Sequence, residues 1–222
     1  MKKLILIAVL LPWMIAATAQ NKKMCPIFNG KNLKGWSRFL RTSGLNNDPQ
    51  QIFTVENKMI HVRGIEFGYI ITDKSYQDFH FSVEFKWGEK KYPPRENAKR
   101  DAGICFNIPE NVPNKIWPKS IECQIQEGDT GDLWLIDSAT AVVDGNRTIP
   151  TRSTRSIKKK DAERLNGEWN TVEIVSKNGK FIFTVNGVVV NEGESPSTTH
   201  GKILLQAEGS ELYYRNVLIA EL

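Results

Sequence analysis

Glu122, Gln124 and Gln126 occupy alternate positions in Ile121-Glu122-Cys123-Gln124-Ile125-Gln126, with Ile121, Cys123 and Ile125 between them. Strand side chains alternate between faces, so a carboxylate and two amides line one face and apolar groups the other. That polar row suits hydrogen bonding to a hydroxyl-rich ligand, although an ordinary half-solvated strand has the same pattern. A second row, Gln206 with Glu208, emerges from the segment Gly201 to Glu208, where Ile203 and Leu205 take the opposite parity. Two carboxylates in facing rows can divide the work of proton donor and proton acceptor. Glu122 is the first candidate for general acid or base and Glu208 the second carboxylate. Gln124 and Gln206 are placed to grip hydroxyls.

Arg215 shares strand parity with Tyr213, Val217 and Ile219. An arginine on an apolar face is costly unless paired, so the sequence predicts a carboxylate partner, Glu122 or Glu208, and a catalytic role. The alternative is an end-of-strand arginine that snorkels to solvent. Trp134, past the Gly/Asp-rich turn Glu127 to Asp132, is a platform for a ring or a packing plug, and Asp101 joins the candidate ligand-binding residues. No metal site or cofactor is predicted. Two carboxylates, Asp129 and Asp132, leave a divalent cation open in that turn, but they serve equally as turn formers. His61, His80 and His200 lack zinc spacing.

The elements that must position these residues are short strands. Phe79 to Trp87 is apolar at every odd position, and Ile52 to Val55 with Met59 to Val62 reads as a hairpin. Asn178-Gly179 and Asn186-Gly187 punctuate a three-stranded meander from Trp169 to Val190. Gly103 stands where a larger side chain would crowd a neighbour or ligand. Leu133 to Val143 reads as one strand interrupted at Asp137. Thr148 to Gly167 shows no convincing strand and is a candidate rim for a site. Ten or more strands without helical periodicity predict an all-β antiparallel sandwich or jelly roll.

The 222-residue chain carries a formal charge of +5, which falls to +3 once Lys2 and Lys3 leave with a signal peptide. This mild excess sits in two loop-like runs, Lys86 to Arg100 and Arg152 to Arg164, which read as solvated loops and lack the aromatic interleaving of a single-strand binder, so nucleic acid is not an expected partner. Met1-Lys2-Lys3, an apolar run from Leu4 to Ala17 and Ala17-Thr18-Ala19 have the form of a signal peptide, residues 1–19, cleaved after Ala19. The run is short for a membrane span. The expected product is one exported, periplasmic or secreted domain, residues 20–222. Cys25, Cys105 and Cys123 are an odd number of thiols; the last two read as buried thiols or as a bridge.

Several of these segments resemble, in order, a known family. Phe28-Asn29-Gly30-Lys31-Asn32-Leu33-Lys34-Gly35-Trp36, Ala102-Gly103-Ile104, Glu122-x-Gln124-Ile125, Gly167-Glu168-Trp169-Asn170, Val185-Asn186-Gly187, Gly201-x-Ile203-x-Leu205-Gln206 and Arg215-Asn216 are similar to the signature of the 3-keto-disaccharide hydrolases. The resemblance covers nearly all of the mature chain. It implies a concanavalin A-like sandwich and action on glycosides oxidised at carbon 3. Where many members have Asn-Ser-Gly-Ile, this chain has Asp101-Ala102-Gly103-Ile104, a change that bears on substrate choice. The other function classes open to such a chain are a conventional two-carboxylate glycosidase, a carbohydrate-binding module without catalysis, and a domain that docks partner proteins.

Overall fold

The computed structural model describes residues 22–222; the signal-peptide expectation falls outside them. Among the described residues there is no helix, and antiparallel strands form two sheets. One sheet runs, in hydrogen-bonded order, Ser153–Ser156, Leu133–Ile136, Ser120–Gln124, Gly103–Ile108, Lys202–Ala207, Gly68–Thr72, Trp36–Leu40 and Gly44–Leu45. The other is built on Phe79–Lys91, flanked by Ser210–Glu221 and by the meander Asn170–Lys177, Lys180–Val185 and Val188–Glu194. The two asparagine–glycine turns of the meander have positive φ at both residues, as a two-residue hairpin requires.

The inner faces meet in a single large core. Phe79, Phe81 and Phe85 contribute the odd positions of the long strand, and Phe106, Phe181 and Phe183 pack edge-on or tilted against each other at centroid separations of 5.7–5.9 Å. Each of these rings is fully buried, and each such burial stabilises the fold by roughly 1.5–3 kcal/mol. Ile121, Cys123 and Ile125 point into this core, as their parity predicts. Glu122 therefore points out of the sandwich, on the outer face of the first sheet.

That outer face has a small apolar patch of its own, Tyr69, Cys105, Ile108 and Leu204, covered by Val112. Cys105 pairs with Glu122 and Ile104 with Cys123, so Cys105 and Cys123 lie on opposite faces, and both are free thiols. Cys25 is free and exposed.

Three sequence expectations are corrected. Leu133 to Val143 is not one strand: Asp137 and Ser138 adopt φ of 53° and 66°, and the chain crosses from the first sheet to Val142–Val143 in the second. Thr148 to Gly167 contains a strand after all, Ser153–Ser156, an edge strand too polar to read by alternation. The basic run from Lys86 to Arg100 is not a solvated loop. Lys86 to Lys91 extends the long strand, and Arg95 and Arg100 turn back onto carboxylates.

Candidate active site

The register across the first sheet assembles the site. Trp134, Glu122, Cys105 and Leu204 lie side by side on successive strands, and Gln124 lies beside Gly103. Gly103 leaves the gap into which two longer side chains lean. A Cβ there would lie 2.5 Å from Gln206 Oε1 and 2.7 Å from Glu122 Cδ, and nearer still to Glu122 Oε1. Beyond the strand end, Glu208 joins them, and Glu122, Gln124, Trp134 and Glu208 all line a cavity of about 520 Å³. That volume falls among ligand sites, commonly about 300–1,000 Å³. Lys115, Asp137, Arg152 and Ser153 also line it, so the segment from Thr148 does supply part of the wall.

Three carboxylates converge here: Glu122 and Glu208 line the cavity, and Asp101 stands close enough to act on both. Asp101, Glu122 and Glu208 are 3%, 5% and 6% exposed, which places them among the most desolvated charged groups of the molecule. Burial pushes the Glu122 carboxyl well above its ordinary value, and the nearby Glu208 and Asp101 add to that, with Gln206 opposing. Burial and Asp101 push Glu208 up to about 7 against the pull of Trp117, Arg95 and Arg41, and burial raises Asp101 to about 6 despite Arg95. Glu122 is thus pushed toward its protonated form, while Asp101 and Glu208, at about 6 and about 7, stand within reach of ionisation at neutral pH. One environment holds a proton donor beside proton acceptors, the separation that acid–base chemistry needs.

Arg95 ion-pairs with Asp101 and approaches Glu208 at 4.0 Å. Trp117 donates its indole N–H to Glu208 Oε1. Several polar atoms here are buried without a partner: Asp101 Oδ1, Gln124 Oε1, Gln206 Oε1 and Trp134 Nε1. An unpaired buried polar atom costs on the order of 1–3 kcal/mol, and two of these four, on Gln124 and Trp134, belong to residues that line the cavity, which points to a ligand that supplies partners there.

The structure therefore brings Asp101, Glu122, Gln124, Trp134, Gln206 and Glu208 together and leaves Arg215 out. Arg215 lies on the outer face of the second sheet, where its Nε donates to Glu84 at 2.6 Å and its guanidinium stacks 3.8 Å from the Trp169 ring. The reason is a bulge: the pairing with Phe79–Lys91 shifts register between Arg215 and Leu218, and Asn216 adopts a φ of 49°. Parity resets there, so Tyr214 is buried inward and Arg215 outward, although Val217 and Ile219 also point in. Gln126 follows the strand end and does not line the cavity. Asp129 and Asp132 are held by cations: Lys99 reaches Asp129 at 2.9 Å, and Arg155 donates to Asp132 at 2.6 Å with the Lys158 amide at 2.8 Å.

Sequence reasoning missed Trp117, Arg95 and Arg41. Arg95 was hidden in a charge run, and Trp117 sits in a proline-bracketed loop without periodicity. No strand pattern points at either.

Carboxyl pKa values raised by folding carry a stability consequence. A group whose folded value lies above its unfolded one adds stability that is fully present below the unfolded value and is lost as pH rises through the folded value. For Asp101 and Glu208 the loss runs from the ordinary carboxylate range up through about 6 and about 7. The melting temperature should fall between about pH 5 and about pH 8, and Glu208→Gln should abolish much of that fall, matching wild type near pH 5 and exceeding it near pH 8. A scan of both proteins across this range checks it; identical curves would place the ionisation elsewhere.

The fold and the site define a class, a carbohydrate-active β-sandwich. More particularly, the chain belongs to the 3-keto-α-glucoside-1,2-lyase-like domain family, which it matches over residues 23–220. No curated protein matches the sequence. Among solved structures, it is similar to a proposed glycosyl hydrolase from Parabacteroides distasonis ATCC 8503, with 20% identity, a TM-score of 0.63 and coverage of 90% of this chain and 94% of that one. The carbohydrate-binding module CBM66 of Bacillus subtilis (10% identity, TM-score 0.55, covering 84% and 95%) and the β-glucanase of Bacillus licheniformis (12%, 0.53, covering 90% and 98%) share the sandwich. At these identities the likeness is one of fold, and it bears out the expectation of an all-β, concanavalin A-like sandwich or jelly roll.

Proposed function

We propose that the protein is an exported lyase or hydrolase that cleaves glycosides oxidised at carbon 3, by elimination across carbons 1 and 2 followed by addition of water. The observation that carries this reading is the convergence of three buried carboxylates, two of them, Glu122 and Glu208, lining one cavity and the third, Asp101, acting on both. Family membership favours this substrate class. A carbohydrate-binding module needs hydrogen bonds and an aromatic platform, and gains nothing from burying carboxylates that cannot all ionise.

A ketone at carbon 3 acidifies the hydrogen on carbon 2. In this reading Glu208, with Asp101 beside it, accepts that proton; the electron pair forms an enolate and then the carbon 1–carbon 2 double bond as the bond from carbon 1 to the glycosidic oxygen breaks. Glu122 gives its proton to the departing oxygen. Arg95, the cation nearest the acceptors, is placed to stabilise negative charge as it develops, and Gln124 and Gln206 offer acceptors to sugar hydroxyls. Trp134 forms a wall for the sugar ring. Addition of water to the enone product reverses the roles of donor and acceptor.

The test is to incubate the purified protein with a 3-keto-glucoside and with its unoxidised parent, each with and without chelator. Release of the aglycone from the keto sugar alone supports the reading. Equal release from the parent would make the protein a conventional two-carboxylate glycosidase. Binding without release from either would make it a lectin-like module.

A further inference from the structure

Trp117 is 38% exposed, an unusual fate for the largest apolar side chain, yet its one polar atom is directed onto a buried carboxylate. Among the described residues no other side chain or amide donates a hydrogen bond to Glu208; Arg95 stands off at 4.0 Å. The loop that carries the ring, Pro109 to Lys119, is fixed at both ends. Val112 packs on the patch of Tyr69, Ile108 and Leu204, and Ser120 Oγ donates to Pro118 O at 2.9 Å. The ring itself is backed by Arg41, whose guanidinium lies 5.6 Å from the Trp117 ring and 4.4 Å from that of Phe67. Arg41 is in turn held by its hairpin, because the buried Glu66 accepts the amides of Thr42 and Ser43 at 2.5 and 3.0 Å and the Ser43 hydroxyl at 2.9 Å.

We infer that Trp117 is a positioning residue for the reaction: its indole N–H, delivered by a loop outside the sheets, aims Glu208 and holds it in the ionised form that accepts the substrate proton. The inference rests on the functional reading above. Glu208 is faced by Asp101 and Arg95 from the segment before Gly103, by Glu122 from its strand, by Arg41 from the first hairpin, and by the neutral groups Cys105 and Tyr214. Of these, only Trp117 stabilises the carboxylate by a directed hydrogen bond, and a bond of this charge-assisted kind strongly favours the ionised form.

Trp117→Phe keeps a ring in the cavity wall and removes the donor. The acid limb of the kcat/KM profile should then move upward by about one to two pH units, with activity recovering above it and the alkaline limb unmoved. Carbon-13 spectra of glutamate-labelled protein, with the Glu208 signal identified by its absence in Glu208→Gln, should show the same upward shift in the titration of that carboxyl. A melting curve verifies that the variant is folded. An unchanged Glu208 titration in folded Trp117→Phe overturns the inference, as does a kcat/KM loss equal at every pH, the mark of lost packing alone. If wild type turns over no 3-keto-glycoside, the functional reading fails by itself, while the carboxyl titration still decides whether Trp117 governs Glu208.

Discussion

Glu122→Gln should lower kcat/KM for a 3-keto-glucoside by about 10²–10⁴-fold, the usual contribution of a positioned acid or base, with the fold intact. The expectation follows from the state of the native residue. Burial, reinforced by Glu208 and Asp101, favours the protonated form of Glu122, so an uncharged amide of the same shape is a close match for the acid. Stability should therefore hold or rise slightly, and affinity for an unreactive sugar analogue should change little, because the amide still offers a donor and an acceptor. A structural role predicts the opposite pattern, a lower melting temperature with modest kinetic change. Measuring turnover, analogue binding and melting on the same preparation separates the two. Near-normal turnover in a folded variant would pass the donor role to Glu208.

Gly103→Ala should be nearly as damaging, and for a different reason. Gly103 does not have a positive φ, so alanine imposes no backbone strain; the cost is the Cβ, which would enter the space held by Glu122 Oε1 and Gln206 Oε1. Both side chains must swing away, and a displacement of about 1 Å in a catalytic constellation can cost about 10²-fold in rate. The loss should appear mainly in kcat, since the cavity walls at Trp134, Lys115 and Arg152 are untouched. If Gly103→Ala retains kcat, the crowding at this position is not tied to function.

The part of this site that was legible in the sequence is the part governed by strand parity. Glu122 with Gln124, and Gln206 with Glu208, alternate with residues that bury their side chains, so each row declares its face, and the sandwich class follows from turn spacing and strand density. Gly103 was legible as a close approach because a strand glycine needs a reason. Arg215 failed because parity counts residues and a bulge adds one: nothing in Tyr213-Tyr214-Arg215-Asn216-Val217 announces where the register shifts, although Asn216 is of the type that tolerates positive φ. Arg95 and Trp117 failed for another reason. They reach the site from loops, where side-chain direction is set by tertiary contacts such as the Arg41 and Glu66 network, and no local period encodes it. The acidities were equally out of reach, since they arise from three carboxylates drawn from separate segments into one desolvated pocket.

The central claim is that a proton leaves carbon 2 as the glycosidic bond breaks, and a 3-keto-glucoside carrying deuterium at carbon 2 tests it most directly. The account predicts a primary isotope effect on kcat/KM, loss of the label to water, and a transient unsaturated keto sugar that Glu122→Gln no longer forms. Full retention of deuterium at carbon 2 in the released sugar, with no isotope effect, would contradict it and place the chemistry at carbon 1 instead.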